Sequence, residues 1–440
     1  MDEEIKTTEP TEIEHPAPIA PEERISSMDI LRGVAVLGIL AMNIYALGLP
    51  AAAYNNPFVY GGTDRLNLGT WLFTYVFFNQ KFMSIFSMLF GAGLMVMYQR
   101  FQEKGQPFKK IYYRRIRWLI LFGFIHAFFI WYGDILFLYG ICGLLLFFFR
   151  KFSVKTLILD AGLALLFGLL ILVGAGAFFN YAAGAEERIE EARLAGEEAS
   201  ETDIELQKMM DEQKSAIRPS AEKIQRQIEN YRNGFGRIMK TRAQHAAVLN
   251  TTSLLFFGLW RAGSMMLLGM ALFKLGIFAA ERSRRFYLAM LIIGYGIGLP
   301  AAFYGGQQLL AHDYDFVYKF AGGKYYNYLG SVLVALGHIG LVMLFCKSNL
   351  LPKLKNALSS VGRMALTNYL MHSIAFTLIF YGYGLGLFAR FERFELMFFL
   401  LGMWIVQLIV SPIWLRNFRF GPAEWLWRSL TYKQKQKMQA

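Results

Sequence analysis

Apolar stretches close to or above the roughly 18–20 residues that cross a bilayer as helix recur along this 440-residue chain. They fall at about residues 28–49, 68–99, 115–132, 134–150, 156–182, 251–274, 286–305, 327–346, 358–382 and 395–415. A segment without water around it must satisfy its own backbone hydrogen bonds, so stretches of this length fold as helices. The predicted class is an all-α polytopic membrane protein with about ten transmembrane helices. Composition agrees, because 55% hydrophobic and 18% charged residues leave little polar surface for a soluble globule of this length.

The net charge of +13 would suit nucleic acid if it formed one patch. Lys and Arg instead concentrate in the tail and alternate short loops, while the intervening short loops carry few. That is the positive-inside pattern, which places both termini in the cytoplasm and leaves no role for nucleic acid. The first stretch follows an acidic region and is too long for a signal h-region, so it reads as a retained span. Cys142 and Cys346 lie within or at the end of apolar runs and make neither a disulfide framework nor a zinc set. No HxxxH or HExxH spacing occurs, so no metal is expected.

These patterns divide the chain. Residues 1–25, acidic and proline-containing, form a disordered cytoplasmic tail. Residues 26–182 make an N-terminal bundle of five spans, and 250–416 a C-terminal bundle of five more. Between them, 183–249 carries 13 acids and 11 bases in a strongly helix-forming composition, too polar for a core of its own. It reads as an extracytoplasmic helical hairpin that protrudes, either as a cap over an outer cavity or as a simple insertion. The segment 417–440 opens with Gly-Pro and carries Trp425, Trp427 and Tyr432 among basic residues, the pattern of an interfacial helix and basic tail. Gly294 and Gly298 have the spacing of a close helix contact. Within the second stretch, Asn79, Gln80 and Lys81 interrupt two apolar halves, marking either a broken helix or an interfacial helix before a normal span.

Ionisable groups inside spans are costly and therefore informative. His126 sits deep in the third span and Asp134 follows eight residues later, near a Tyr-Gly turn that allows it to fold back. The pair is either a base oriented by a carboxylate or a core histidine bonded to another helix. Arg261, in mid-span, needs a partner such as Asp134 or Asp29, or an anionic ligand. "SVGRMALTNYLMHSIAF" puts Arg363 at an inner helix end and Asn368 and His372 on one face beyond it, a candidate cavity lining. His338 reads as core, and His15, His245 and His312 as solvated. In "SMDILRG", Ser26 and Asp29 have capping-box spacing, and Arg32 lies one turn on, close enough to pair with Asp29. Asn43 lies deeper in the same stretch. The basic loop "RFQEKGQPFKKIYYRRIR" either holds an anionic ligand or anchors the helix end to lipid headgroups.

Four stretches in order, "RISSMDILRGVAVLGILAMNI", "IHAFFIWYGDILFLYG", "GRMALTNYLMHS" and "GPAEWLWRSLTY", resemble the YeiB-like family of bacterial inner-membrane proteins over about residues 24–433. That family is similar in turn to transmembrane acyltransferases, including the heparan-glucosaminide acetyltransferase group and membrane sugar acyltransferases. The resemblance implies residence in the bacterial cytoplasmic membrane and an acyl-CoA donor held near Arg32. It implies transfer of an acyl, chiefly acetyl, group to an acceptor hydroxyl or amine at the outer face. The acetyltransferase relatives carry a histidine after the first span, but residues 49–80 here hold none; the sugar acyltransferases often carry one within it, where this chain has Met42-Asn43. His126 with Asp134 is thus assigned as the base from residue chemistry. Arg32, Asn43, Lys81, Arg261, Arg363, Asn368 and His372 are the candidate substrate-binding groups. The expected partners are membrane lipids, acyl-CoA and a small-molecule, glycan or lipid acceptor, with homodimerisation compatible. The competing expectation is a transporter or flippase of an anionic amphiphile, which would use the same cavity without making a bond.

Overall fold

The computed structural model describes residues 24–439; the tail expected over 1–25, with His15, lies outside them except for Arg24 and Ile25. Each of the ten apolar stretches falls on helix. In chain order these are α1 (Ser26–Gly48), α2 (Arg65–Phe77), α3 (Lys81–Glu103), α4 (Phe108–Ile125), α5 (Leu136–Phe149) and α6 (Val154–Ala183). The insertion contributes α7 (Ala185–Ala195), α8 (Glu201–Ile217), α9 (Ala221–Arg232) and α10 (Phe235–Val248). Then come α11 (Leu259–Lys274), α12 (Arg284–Ala311), α13 (Tyr325–Lys347), α14 (Pro352–Arg363), α15 (Ala365–Phe380), α16 (Leu396–Asn417) and α17 (Pro422–Tyr432). Among the described residues, seven helical stretches, taking α2–α3, α6–α7 and α10–α11 each as one, are long and apolar enough to cross a membrane; α5 and α15 are apolar but shorter. The protein is an all-α, multi-pass membrane protein.

Helix α1 is the axis of the bundle. It touches α3, α13, α14, α15 and α16, and most of its side chains are buried by protein. The peripheral helices α6, α12 and α16 instead expose Leu163, Leu170, Ile292, Ile297, Ile405 and Ile409, the surface that lipid covers. Small residues permit the closest approaches. Gly33 abuts the Leu358 carbonyl, and Gly362 abuts that of Asp29, locking α1 to α14. As the spacing predicted, Gly294 and Gly298 seat α12 against Leu333 and Val334 of α13.

Two local expectations at helix ends meet different fates. The helix break at Asn79–Lys81 is present, with Gln80 at φ 64° in the left-handed region. The polar residues there mend the break themselves. Lys81 Nζ donates to the Tyr75 carbonyl at 2.8 Å and to Asn327 Oδ1 at 2.6 Å, and Asn327 Nδ2 donates to Asn79 Oδ1 at 3.0 Å. The capping box at Ser26–Asp29 does not form, since Ile25 is the N-cap and makes no side-chain cap bond. Asp29 is taken by guanidinium groups, Arg32 Nη1 at 2.6 Å and Arg24 Nε at 3.1 Å, which are stronger donors than a backbone N–H.

The insertion does not protrude. Tyr231 of α9 stacks on Phe388 with ring centroids 4.6 Å apart, and its carbonyl accepts from Gly382 N at 2.8 Å. Arg232 donates to the Phe388 and Ala389 carbonyls, and the fully buried Arg242 of α10 reaches those of Phe129 and Ile130. Its many charges face outward while a few aromatic and arginine side chains dock it onto the bundle, so composition alone hid the contact. His245, expected to be solvated, packs against the Tyr132 ring at 5.1 Å.

The α1–α14 contact sets a stability test. Gly362→Ala forces a methyl group into the Asp29 carbonyl and should cost about 1–3 kcal/mol, read as a lower melting temperature in detergent. Gly296→Ala, at a position with nothing within 4 Å, should leave the melting temperature unchanged or raised. Equal effects would mean that the glycine contact does not set the helix spacing.

Candidate functional site

A cavity of about 240 Å³ opens at the basic end of the bundle, where α1, α3, α4, α14 and α17 meet. Six arginines surround its mouth: Arg24, Arg32, Arg100, Arg115, Arg363 and Arg428. The two carboxylates beside them are already committed. Asp29 holds Arg24 and Arg32, and Glu424 caps the start of α15 by accepting from Leu366 N at 2.6 Å, Thr367 N at 3.1 Å and Thr367 Oγ1 at 2.5 Å. Burial, with Arg115 and Arg24 nearby, pushes the Arg428 guanidinium down to about 10, so it stays cationic at neutral pH. A mouth that gathers so many guanidinium groups suits a ligand with several negative charges, such as a polyphosphate.

Beyond the mouth the walls become apolar. Phe86, Leu89, Phe90, Ile116, Leu119 and Leu136 form a throat that ends at Tyr139 and Tyr369. Arg115 at the mouth and His126 are eleven residues apart along the same helix, about 16 Å at helical rise, which is near half of the ~30 Å apolar core.

His126 lies directly behind Tyr369, with ring centroids 5.2 Å apart. Here α4 gives way to a single π-helical turn, His126–Ile130, and then to extended backbone at Trp131, which lets the chain turn back and place Asp134 beside the imidazole. His126 Nδ1 lies 2.8 Å from Asp134 Oδ1, and its Nε2 lies 2.8 Å from Ser373 Oγ. The other carboxylate oxygen accepts from Phe137 N at 2.6 Å. With Asp134 as an acceptor on Nδ1–H, Nε2 carries the lone pair, the tautomer a general base requires. The turn itself is clamped twice. Arg242 of α10 donates to the Phe129 and Ile130 carbonyls, and Tyr369 Oη donates to the Gly133 carbonyl at 3.3 Å and accepts from Ile135 N at 3.2 Å.

The remaining candidates separate into two groups. Arg32 and Arg363 line the cavity mouth. Lys81, Arg261, Asn368 and His372 do not; each is buried and serves helix packing. Arg261 pairs with neither Asp134 nor Asp29. It donates to the Tyr328 carbonyl at 2.9 Å, Ser84 Oγ at 3.0 Å and Ser331 Oγ at 2.7 Å, because backbone carbonyls and hydroxyls at mid-span reach it and no carboxylate does. Asn368 Nδ2 joins the Val361 carbonyl to Ser411, and His372 Nε2 meets Gln407 Oε1 at 2.9 Å, a polar seam between α15 and α16. Asn43 is half-buried on α1, away from the cavity lining. His338 is a core residue, bonded to Tyr295 Oη at 2.5 Å and the Phe77 carbonyl at 3.0 Å, while His312 is exposed.

Known proteins place the chain. It is 33% identical over 419 residues to the uncharacterized protein YeiB of Escherichia coli strain K12, covering 93% of this chain and 97% of that one. The chain belongs to the YeiB-like family. The uncharacterized protein YxaH of Bacillus subtilis strain 168 is 31% identical over 428 residues, covering 94% and 96% of the two chains. The family model described as a protein of unknown function, DUF418, matches residues 272–434, which includes Arg363, Tyr369, Ser373 and Arg428 of the site. No solved structure matches the chain.

For this YeiB-like protein the sequence reading missed Ser373, Arg24 and Arg428, while it reached Arg100 and Arg115 only through the basic loop and Tyr369 only as a hydroxyl beside Asn368. Ser373 carries no signal in a stretch read for its charges, although it is the residue after His372. Arg115 and Arg428 were visible only as members of basic runs, and α17 joins the cavity because Trp427 Nε1 donates to the Arg115 carbonyl at 3.0 Å while Arg115 stacks on the indole at 3.8 Å.

The two arginine groups should part experimentally. Arg261→Gln leaves buried acceptors short of donors and should cost roughly 1–3 kcal/mol of stability, with pyrophosphate binding preserved. Arg32→Gln should weaken pyrophosphate binding severalfold while the melting curve barely moves. Melting curves beside a pyrophosphate titration decide this, and the reverse pattern would interchange the roles.

Proposed function

We propose that this protein is a transmembrane acyltransferase of the bacterial cytoplasmic membrane, with both termini and the basic mouth on the cytoplasmic side. It takes an acyl group, chiefly acetyl, from cytoplasmic acyl-CoA and passes it to an acceptor hydroxyl or amine at the outer face. The observation that carries this reading is the order of chemistry along one path: arginine mouth, apolar throat, then a histidine oriented by a carboxylate behind Tyr369. The donor has that same order, with a phosphate-bearing nucleotide, a flexible arm and a thioester at its far end. Arg32, Arg363, Arg115 and Arg428 would grip the phosphates, and the throat would exclude water from the arm. His126 Nε2 removes the proton of the attacking hydroxyl, and Asp134 holds the ring and stabilises its charged form.

The acceptor approaches from the other end, beneath α9 and α10. Around the turn that carries Asp134, five buried polar atoms have no hydrogen-bond partner among the described residues: Trp131 Nε1, Tyr231 Oη, Tyr381 Oη, Arg242 Nε and His245 Nδ1. Buried donors without partners cost about 1–3 kcal/mol each, so a polar ligand resting there is favoured.

Donor binding gives the first test. Purified protein in nanodiscs should bind acetyl-CoA, more weakly as salt rises, and Arg363→Gln should weaken that binding without unfolding the protein. No thioester binding at any salt, with movement of an anionic amphiphile across vesicles instead, would favour a transporter. Chemistry gives the second test. His126→Ala should lower acyl release from labelled donor by roughly 10²–10⁴-fold with donor affinity nearly unchanged. Asp134→Asn should cost less, because it misorients the imidazole without deleting it. Full turnover in His126→Ala would remove His126 as the base.

A further inference from the structure

Ser373 completes a serine–histidine–carboxylate array inside the membrane. Its Oγ lies 2.8 Å from His126 Nε2, and His126 Nδ1 lies 2.8 Å from Asp134. Ser373 and His126 are each 1% exposed, and the Asp134 side chain is 0% exposed. Helical serines in apolar surroundings commonly return their hydroxyl to the carbonyl one turn earlier. Ser84 and Ser360 of this chain do so, to Gln80 and Asn356. The hydroxyl of Ser373 instead rests on the imidazole nitrogen that would take its proton. Serine, base and orienting acid within hydrogen-bond reach are the signature of an activated nucleophile, recognised by geometry rather than by chain order.

Two neighbours add to this. Tyr369 stands one turn before Ser373 on α15 and lines the end of the throat, so the cavity floor and the serine share one helix face. Trp131, whose Nε1 is a buried donor without a partner among the described residues, packs its ring edge-on to His126 with centroids 6.4 Å apart.

We propose that Ser373 is the nucleophile and carries the acyl group as an ester between donor and acceptor. This rests on the acyltransferase reading and adds an intermediate to it. In the first step Ser373 Oγ bonds to the thioester carbonyl carbon, the carbon–sulfur bond breaks, and the serine proton passes through His126 Nε2 to the departing thiolate. In the second, the acceptor oxygen or nitrogen attacks the ester carbon and gives its proton to His126 Nε2. The bond to Ser373 Oγ then breaks, and Ser373 takes that proton back. No oxidant or further reactant is consumed. The donor at the basic mouth and the acceptor beneath α9–α10 never need to occupy the site together.

The test uses the full chain in nanodiscs with acetyl-CoA and a long-chain acyl-CoA as probes and no acceptor. One equivalent of free CoA should appear in a burst, with a single acyl group, trapped by acid quench, on the peptide containing Ser373. Ser373→Ala should abolish burst and adduct while keeping acyl-CoA affinity and melting temperature, and Ser373→Cys should restore an adduct as a thioester. Turnover that depends on His126 but survives Ser373→Ala without an adduct would overturn the serine and leave the acyltransferase reading standing. Binding of both probes with no thioester cleavage under any condition would overturn both.

Discussion

A carboxylate buried in the middle of a membrane protein dictates much of what surrounds it. Leaving Asp134 unmatched there would cost several kcal/mol, so both of its oxygens are engaged, one by His126 and one by Phe137 N. Bringing it to His126 requires the backbone to leave the helix, which frees carbonyls that lipid cannot satisfy. Arg242 from the insertion takes those of Phe129 and Ile130, and Tyr369 from α15 takes that of Gly133. One acid–base pair therefore ties together α4, α5, α10 and α15, elements far apart in sequence. The insertion is thereby part of the architecture that holds the pair, through an arginine whose own cost of burial is offset by the carbonyls it meets.

The same logic explains why intramembrane charge is an ambiguous guide. An arginine or lysine at depth attracts a functional reading by default, yet Arg261, Arg242, Arg393 and Lys81 each donate to carbonyls, hydroxyls or an amide of this protein. Arg393, fully buried, joins the Ala53 and Tyr60 carbonyls and lies over the Tyr45 ring. These cations stitch breaks and loop ends. At the mouth, by contrast, Arg115 and Arg363 line an open cavity. Depth alone does not separate the two uses; what separates them is whether local backbone has been left unsatisfied.

Legibility in the sequence follows from how local each feature is. Spans, the break at Gln80 and the Gly294–Gly298 contact depend on periodicity or composition over a few turns, and all were readable. The His126–Asp134 contact was readable because only eight residues and a Tyr-Gly turn separate the partners. The capping box failed through competition, since two guanidinium groups reached Asp29 first. The docked insertion was hidden because a few anchoring side chains, Tyr231, Arg232 and Arg242, are outvoted by its many solvated charges. Ser373 was hidden for a different reason: it is 247 residues from its partner, and nothing in a lone serine on an apolar helix announces which neighbour its hydroxyl will choose.

Under the acyltransferase reading, the separation of charge along the bundle carries mechanistic weight. Six guanidinium groups at the mouth raise the local concentration of polyanions and orient them with the charged end outermost. The apolar throat then admits only an uncharged arm. A thioester delivered this way meets Tyr369 before it meets His126, and the phenol makes only long bonds, 3.2 and 3.3 Å, to the turn it holds. Displacing that side chain breaks no short hydrogen bond. Its displacement would open the throat toward Ser373 and at the same time release one of the two clamps on the Asp134 turn. Arg242, the other clamp, would keep that turn in place from the opposite side. Entry of the donor and integrity of the acid–base pair thus rest on different residues, so the path can open on the mouth side without dismantling the base.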